Sequence, residues 1–180
     1  MMDDYIVPLD PETELFCTLY LFRNVQNCNE IREKIMNGKL CCAVIKAALI
    51  TDPFHILVAA NKAAISAKMN QLITKNVYTE ILFNLSISKN ISRSLMEFGI
   101  NDNDKNILII QIYKNTEESM SQILMKNVKG VNVSISKLAE FSDLELIKKT
   151  YKIDKDEETV SNLTNSIVSR ISCKDFTLLK

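Results

Sequence analysis

The chain has 180 residues, of which 47% are hydrophobic and 24% charged, with three glycines, three prolines and a formal net charge of zero. This composition excludes a disordered or fibrous protein and predicts one globular domain with short loops. The balanced charge excludes a global field that would draw the protein onto nucleic acid. The longest apolar runs are much shorter than the roughly 20 residues of a membrane span. We therefore expect a soluble protein without a secretory signal.

The charges are unevenly distributed along the chain. Between Pro53 and Met96 there is a local excess of positive charge, and the first fourteen residues carry acids but no base. The charged residues of the central zone are Lys62, Lys68, Lys75, Lys89 and Arg93 against Glu80 alone. The five cysteines are irregularly spaced. Their odd number and spacing predict reduced thiols in the cytosol or nucleus.

The predicted elements begin with a strand. Residues 15–22 form a continuous apolar run with β-favouring side chains, which is typical of a central strand. Asn27 and Glu30 have the spacing of a capping box, and Gly38 suits a left-handed helix end, so a short amphipathic helix is predicted between them. Residues 44–51 are ambiguous between strand and helix.

A second helix is predicted to run from Pro53 to about residue 70. Asp52 serves as its N-cap, and Pro53 occupies a first helical position where its missing N–H costs nothing. The alanines of this helix are too small to fill a core alone, so a partner backbone must approach closely, usually that of another helix in the same domain. These alanines are Ala59, Ala60, Ala63, Ala64 and Ala67.

The middle of the chain predicts a helical hairpin followed by a strand. Residues 79–86 fit a helical period, although their β-branched and aromatic content would also serve a strand, and we favour the helix. Asn90 caps the next helix and Gly99 ends it. Residues 107–112 predict a second strand.

The C-terminal third predicts three more helices, over residues 116–128, 142–151 and 156–172. Asn115 or Thr116 would cap the first of them. The last would carry one apolar stripe, formed by Val160, Leu163, Ile167 and Ile171. Together these elements predict an α/β (α+β) fold in which about seven α-helices pack on a small mixed β-sheet in a single domain. We assign residues 1–14 to an acidic N-terminal extension, 15–173 to the domain and 174–180 to a C-terminal tail.

No pattern of catalytic residues stands out. The single histidine, His55, lies in the first turn of a helix, away from any cluster at metal-ligand spacing, so we predict a partly exposed polar residue rather than a ligand. The three glycines are isolated, which excludes a glycine-rich phosphate loop. We expect no enzyme, no metal and no cofactor. An enzyme with a reactive thiol at Cys42 or Cys173 is an alternative, as is a metal protein.

Polar residues on the second helix suggest a surface for RNA. Residues seven apart nearly superpose on a helix, so His55 and Lys62 share one strip, and Asn61 and Lys68 share another. Lysine contacts phosphates and asparagine can read a base edge, so this surface could hold a single-stranded RNA end. A solvated helix face is the alternative interpretation. The chain lacks an aromatic ladder, which argues against a platform that stacks successive bases.

Several segments together carry a family resemblance over nearly the whole chain. In order and spacing they resemble the TPRKB family, the kinase-binding subunit of the EKC/KEOPS complex. The segments are Asp52-Pro53-Phe54, Ala59-Ala60-Asn61-Lys62-Ala63, Thr79-Glu80-Ile81-Leu82-Phe83-Asn84-Leu85-Ser86, Asn90-Ile91-Ser92-Arg93-Ser94-Leu95, Phe98-Gly99-Ile100, Asn106-Ile107-Leu108-Ile109-Ile110-Gln111-Ile112 and Ile171-Ser172-Cys173-Lys174-Asp175.

The resemblance implies a non-catalytic subunit that binds the N-terminal lobe of the small PRPK-type atypical protein kinase, and through it the other KEOPS subunits. It also implies a part in the threonylcarbamoyladenosine (t6A) modification of tRNA, with a grip on the single-stranded tRNA 3′ CCA end. Cytoplasm and nucleus are the expected locations. No membrane partner and no small-molecule substrate are expected.

Two sets of site residues follow from this resemblance and from the local charge. For the kinase we expect the exposed parts of the second and last helices, with Ile56, Ala59, Ile167, Ile171 and Phe176 as candidates. For tRNA we expect Asn61, Lys62, Lys68, Lys75 and Arg93. The alternative is a stand-alone α/β adaptor or regulatory protein of an unrelated pathway, which would have the same composition but no tRNA role.

Overall fold

Five strands form one sheet in the computed structural model, which describes residues 5–114 and 121–176. The strands are β1 (Tyr5–Pro8), β2 (Leu15–Arg23), β3 (Ala43–Lys46), β4 (Ile107–Lys114) and β5 (Val131–Val133). The helices within the described ranges are α1 (Cys28–Met36), α2 (Pro53–Lys68), α3 (Val77–Leu85), α4 (Ile91–Phe98), α5 (Ser121–Asn127), α6 (Leu144–Tyr151), α7 (Lys155–Val160) and α8 (Leu163–Cys173).

The sheet has the order β1-β2-β4-β3, and β5 pairs with the end of β2 that β1 leaves uncovered. The predicted α/β (α+β) class in a single domain is confirmed. The sheet differs from the expected mixed one because every strand pairing among the described residues is antiparallel. Side-chain periodicity reports which residues are buried but not the direction of the neighbouring strand.

The two faces of the sheet carry two separate cores. Successive side chains of a strand point to opposite faces, so in β2 Leu19 and Leu21 belong to the larger core, and Tyr20 and Phe22 to the smaller one. Helices α2, α3 and α8 contribute to the larger core, and α1 and α5 to the smaller one. The central run of β2 is apolar throughout because both of its faces are covered.

The N-terminal segment, from Tyr5 onward, is part of this sheet. Strand β1 pairs with β2 from Tyr5 opposite Leu19 to Pro8 opposite Phe16. Asp10 then caps a short 3-10 turn, and its carboxylate accepts a hydrogen bond from the Glu12 N–H at 2.9 Å. The prediction of residues 1–14 as an extension outside the domain is therefore wrong for its described part, since the acidic residues occupy a turn between two paired strands.

Four of the five alanines predicted to need a close partner on α2 are fully buried, and the fifth, Ala67, is partly buried. Helix α2 packs against α3 and α8 of the same domain. Ala59, Ala60, Ala63 and Ala64 have no solvent exposure, and the side-chain amide of Asn84 on α3 donates to the Ala59 carbonyl at 3.2 Å. The small alanine side chains let the backbone of α2 come close enough to α3 for this hydrogen bond to form.

Substitution Ala63→Leu is expected to lower the free energy of unfolding by about 1–3 kcal/mol, because the added atoms would overpack a close helix contact. Urea unfolding followed by circular dichroism would measure this change. The same substitution at the exposed Ala139 is the matched control and should change the stability by less than about 0.5 kcal/mol. Equal effects at both positions would contradict the tight packing of α2.

Helix starts agree with most of the local signals, but the predicted capping box of Asn27 and Glu30 is wrong, because the Asn27 side-chain oxygen accepts from the Lys129 N–H instead of capping α1. The Asp52 carboxylate accepts from the Phe54 N–H at 2.8 Å and caps α2, as predicted. Gly38 adopts the expected left-handed conformation after α1. Helix α3 begins earlier than the predicted start at residue 79, because its N-cap is Asn76, which forms a capping box with Thr79. The α3 and α4 pair confirms the helical hairpin, and residues 44–51 resolve into β3 and a 3-10 turn.

The predicted last helix is two helices. Helix α7 ends at Val160, whose exposure is 84%, and α8 starts after Asn162, whose side chain accepts from the Asn165 N–H at 2.8 Å. Val160 is therefore not part of the apolar stripe that buries Ile167 and Ile171. The predicted helix over residues 116–128 is described only as α5, and its expected caps, Asn115 and Thr116, lie outside the described residues.

Candidate partner-binding surfaces

The polar residues predicted on α2 tie this helix to other parts of the fold. The side-chain oxygen of Asn61 accepts from the Asp10 N–H at 2.7 Å. The Lys62 ammonium donates to the Ile171 carbonyl at 2.8 Å and lies 2.9 Å from the Asp175 carboxylate. Lys62 thus satisfies a carbonyl at the C-terminal end of α8, where a positive charge is favourable.

The other predicted tRNA contacts are dispersed. The Lys68 ammonium donates to the Glu12 carbonyl and lies 3.3 Å from the Glu12 carboxylate. Lys75 is exposed in the connection between α2 and α3, and Arg93 is exposed on α4. The structure brings Asn61 and Lys62 into one groove and places Arg93 in a different pocket. The five residues do not form a single cluster, and their role in RNA binding stays a prediction.

Four of the five predicted kinase-facing residues lie in the larger core. Ile56, Ala59, Ile167 and Ile171 are buried where α2 and α8 pack together, and only Phe176 is exposed. The prediction of the four buried residues as a partner surface is wrong, because the apolar stripes of the two helices cover each other. An apolar stripe shows that a helix face is covered but does not identify what covers it.

His55 is buried and has no hydrogen-bond partner among the described atoms. Burial lowers the pKa of His55 to about 4, and the nearby Asp52 carboxylate opposes this shift only in part. The prediction of a partly exposed polar residue is therefore wrong, because His55 lies on the side of the first turn of α2 that faces the protein interior, while Phe54 of the same turn stays exposed. Within residues 5–114 and 121–176 no group of three or more His, Cys, Asp or Glu side chains could hold a metal ion.

The described cysteines are free thiols, and three of them are buried. Burial raises the pKa of Cys17 and of Cys42 to about 12, and burial is also the main cause that raises the pKa of Cys28. A reactive thiol needs a lowered pKa, so the environment of Cys42 opposes the alternative in which it acts as a nucleophile. Cys41 and Cys173 are exposed.

A groove of about 630 Å³ lies between the start of α2, the end of α8 and strand β1, and we call it the α2–α8 groove. Two phenylalanines line it, Phe54 with 49% and Phe176 with 76% of their surface exposed. Leu57 and Val58 extend its apolar wall, and Lys62 supplies a charge at its side. Phe176 is thus the one predicted kinase-facing residue that the structure leaves accessible.

A second groove, of about 640 Å³, lies between α1, α3, α4 and the start of β3 with the two residues before it, and we call it the α1–α4 groove. Its lining includes Val77 and Leu82 of α3 and Leu95 of α4. Met36 and Met96 also line it and are 81% and 72% exposed. Methionine is flexible and polarisable, so such a rim adapts to the shape of a partner. No local sequence pattern predicts this groove, because its lining residues come from four separate elements.

A third depression, of about 410 Å³, is cationic and lies between α4 and α6, and we call it the α4–α6 pocket. Four basic residues line it, together with the single carboxylate of Glu97. They are Lys46, Arg93, Lys149 and Lys152. Among them only Arg93 was predicted as a site residue, because Lys149 and Lys152 lie more than fifty positions further along the chain and no local signal connects them with Arg93.

Apolar grooves with exposed aromatic and methionine side chains, together with a cationic pocket, are surfaces for macromolecular partners and phosphate groups. None of the described helices has the length and apolar content required to cross a membrane. The fold and these surfaces define an α/β partner-binding domain.

Comparison with known proteins assigns this domain to a family. The model of the kinase binding protein CGI-121 family matches residues 22–175, and the chain belongs to that family. The EKC/KEOPS complex subunit TPRKB of Danio rerio is 34% identical over 171 residues, which cover 93% of this chain and 98% of that protein. The EKC/KEOPS complex subunit cgi121 of Schizosaccharomyces pombe is 31% identical over 176 residues, covering 95% and 99%. The predicted family resemblance is confirmed.

Proposed function

We propose that this protein is a non-catalytic subunit of an EKC/KEOPS complex and binds a PRPK-type atypical protein kinase through the kinase's N-terminal lobe. The observation that carries this proposal is the match along nearly the whole chain to relatives named as EKC/KEOPS subunits, within a family described as kinase-binding. Through the kinase the protein joins the remaining subunits and supports t6A modification of tRNA, in the cytoplasm and nucleus. Another subunit performs the chemical step.

The α2–α8 groove is the proposed kinase-binding surface. Exposed aromatic side chains are typical centres of protein interfaces, and Phe54 and Phe176 both line this groove. The Lys62 and Asp175 ion pair at its side provides the polar rim that surrounds such centres. A stable interface buries roughly 800 Å² on each partner, so the kinase lobe would also cover neighbouring parts of α2 and β1.

The α1–α4 groove is the proposed site of the tRNA 3′ CCA end. Unpaired bases bind in apolar clefts with aromatic neighbours and a few polar groups, and this groove combines the Tyr78 ring and Leu82 with polar Asn76 and Ser92. Lys75, exposed and next to Asn76 in the chain, is available for a phosphate. Lys62 and Lys68 support this role less well because both already bind carbonyl and carboxylate oxygens.

A pull-down with the tagged full-length protein tests the proposed function. Recovery of the PRPK-type kinase, and capture of intact tRNA in preference to tRNA trimmed of its CCA end, are the expected results. Capture of the kinase alone would remove the tRNA role. Capture of neither would favour the alternative of a stand-alone adaptor in an unrelated pathway.

The double substitution Met36→Glu and Met96→Glu is expected to lower the affinity for intact tRNA by about ten-fold or more, because it removes apolar contacts with the bases and adds repelling charges. Both side chains are largely exposed, so the fold should tolerate the change. Filter binding at fixed salt, with intact and trimmed tRNA, would measure the effect. The control is Met69→Glu, at an exposed methionine outside the groove. Unchanged discrimination between the two tRNAs would contradict this assignment.

A further inference from the structure

The α4–α6 pocket is built by contacts that fix its walls. The Lys46 ammonium donates to the carbonyls of Met96 and Glu97 at 3.2 and 3.0 Å, which joins the end of β3 to the C-terminal end of α4. On the other side, the Asp143 N–H donates to the Ala48 carbonyl at 2.9 Å and holds the start of α6 beside the turn that follows β3. Two helices and a strand end thus enclose one concave site.

The cations of this pocket lack carboxylate partners, unlike many others on the described surface. Lys46, Arg93, Lys149 and Lys152 form no salt bridge with any described carboxylate. The Glu97 carboxylate, which also lines the pocket, accepts a hydrogen bond from the Ser86 hydroxyl at 2.9 Å. Salt bridges elsewhere among the described residues include those of Arg32 with Asp102, Lys62 with Asp175, Lys68 with Glu12, Lys129 with Glu30, Lys148 with Glu145 and Glu158, and Arg170 with Glu157.

The remaining lining is suited to an amphipathic ligand. Ser88 and Thr150 add hydroxyl groups beside the cations, and Ile87, Leu49 and the exposed Leu146 form an apolar wall. A volume of about 410 Å³ lies in the range of small-ligand sites. Four positive charges against one carboxylate leave an excess that would attract a multiply charged anion into this cavity.

We propose that the α4–α6 pocket binds the phosphate group of a nucleotide, presented either by a free nucleotide or by the backbone of an RNA. Arg93, Lys149 and Lys152 contact the phosphate oxygens, Lys46 contributes charge from the base of the site, and the sugar or base rests on the wall formed by Ile87 and Leu146. Phosphate is favoured over the carboxylates of an acidic peptide because four cations around one small cavity match one compact, highly charged group.

This proposal does not rest on the proposed function. The pocket shares no lining residue with the α1–α4 groove or the α2–α8 groove. Its ligand needs neither a CCA end nor a kinase. A failure of the kinase or CCA assignments would therefore leave it intact, and its own failure would leave them intact.

Binding of pyrophosphate, AMP, ADP and a short oligouridylate without a CCA sequence to the full-length protein would test the site. Isothermal titration at low and moderate salt measures the affinities. The double substitution Arg93→Glu and Lys149→Glu is expected to weaken binding by about ten-fold or more, since it replaces two attracting charges by repelling ones. The matched control, Lys39→Glu and Lys137→Glu, changes the net charge equally at exposed positions outside the pocket and should change the affinity by less than about two-fold.

The outcomes separate the sources of the phosphate. Tighter binding of AMP or ADP than of the oligouridylate supports a free nucleotide, and the reverse order supports an RNA backbone. Equal effects of the two double substitutions would overturn the proposal, as would the absence of millimolar binding of every phosphate probe. Binding of an acidic peptide or a phosphopeptide with no nucleotide binding would also overturn it. Thermal unfolding of each variant checks that the fold is retained.

Discussion

Substitution of Phe54 and Phe176 by aspartate is expected to weaken binding of the PRPK-type kinase by about 30-fold or more, which corresponds to about 2 kcal/mol or more. The reason is that both rings are exposed at the α2–α8 groove and would lose their apolar contacts, while two carboxylates would be desolvated at the interface. The fold should tolerate the change at position 54, because an acid in the first turn of α2 interacts favourably with the helix dipole. Isothermal titration with purified kinase would measure the affinity.

The control for this experiment is Val160→Asp, which places one aspartate at an exposed apolar position outside the groove. It should leave the kinase affinity within about two-fold of the original, as expected for a position outside the interface. Kinase binding that survives the Phe54 and Phe176 substitutions but is lost with Met36→Glu and Met96→Glu would show that the kinase occupies the α1–α4 groove instead. In that case the kinase would be assigned to the α1–α4 groove and the tRNA CCA end to the α2–α8 groove.

Acidification from pH 6.5 to pH 4 is expected to lower the free energy of unfolding by at most about 3 kcal/mol through His55 alone. Burial lowers the pKa of His55 to about 4 in the folded protein, whereas an exposed imidazole has a pKa near 6.5. Between these values the unfolded chain binds a proton that the folded chain does not. Stability therefore rises with pH through this window, and the His55 contribution is complete above pH 6.5.

The variant His55→Leu isolates this effect because leucine has a similar size and does not titrate. Urea unfolding of both proteins at several values between pH 4 and pH 7.5 would give the difference in stability, which should shift in favour of the variant as the pH falls. Other groups titrate equally in both proteins. For example, Arg170 holds the pKa of Glu157 at about 2, well below its ordinary value of 4.5, so this carboxylate loses its contribution as the pH falls from about 4.5 to 2, in the variant and in the original protein alike. A pH-independent difference would contradict the burial of an uncharged His55.

Short-range signals predicted most of the helices. Asp52 with Pro53 defined the start of α2, and Gly38 marked the end of α1, because caps and glycine conformations depend on residues within one or two turns. The continuous apolar run of β2 was equally clear because burial on both faces removes the need for polar positions. Strand β5, with only three residues, is too short to give a pattern, and it was missed.

Long-range relations could not be predicted in the same way. The contact of Lys62 with the Ile171 carbonyl joins residues 109 positions apart, so no local pattern shows that this lysine, predicted to contact RNA, also ties α2 to α8. The stripe of Ile167 and Ile171 was correctly predicted as apolar, but its partner proved to be α2. The α4–α6 pocket likewise depends on how α6 docks, and sequence periodicity contains no information on such docking.

The pairing of β2 with β4 constrains the order in which the protein can fold as it is synthesised. Paired residues of these two strands are between 85 and 99 positions apart, from Phe22 with Ile107 to Leu15 with Lys114. Such distant pairing carries a high cost in chain entropy and slows folding. Strand β2 can pair early with β1, but its other edge stays unpaired until the whole α2 to α4 segment has left the ribosome. A nascent chain stalled before residue 107 would therefore lack the central pairing of its sheet and expose apolar side chains that chaperones bind.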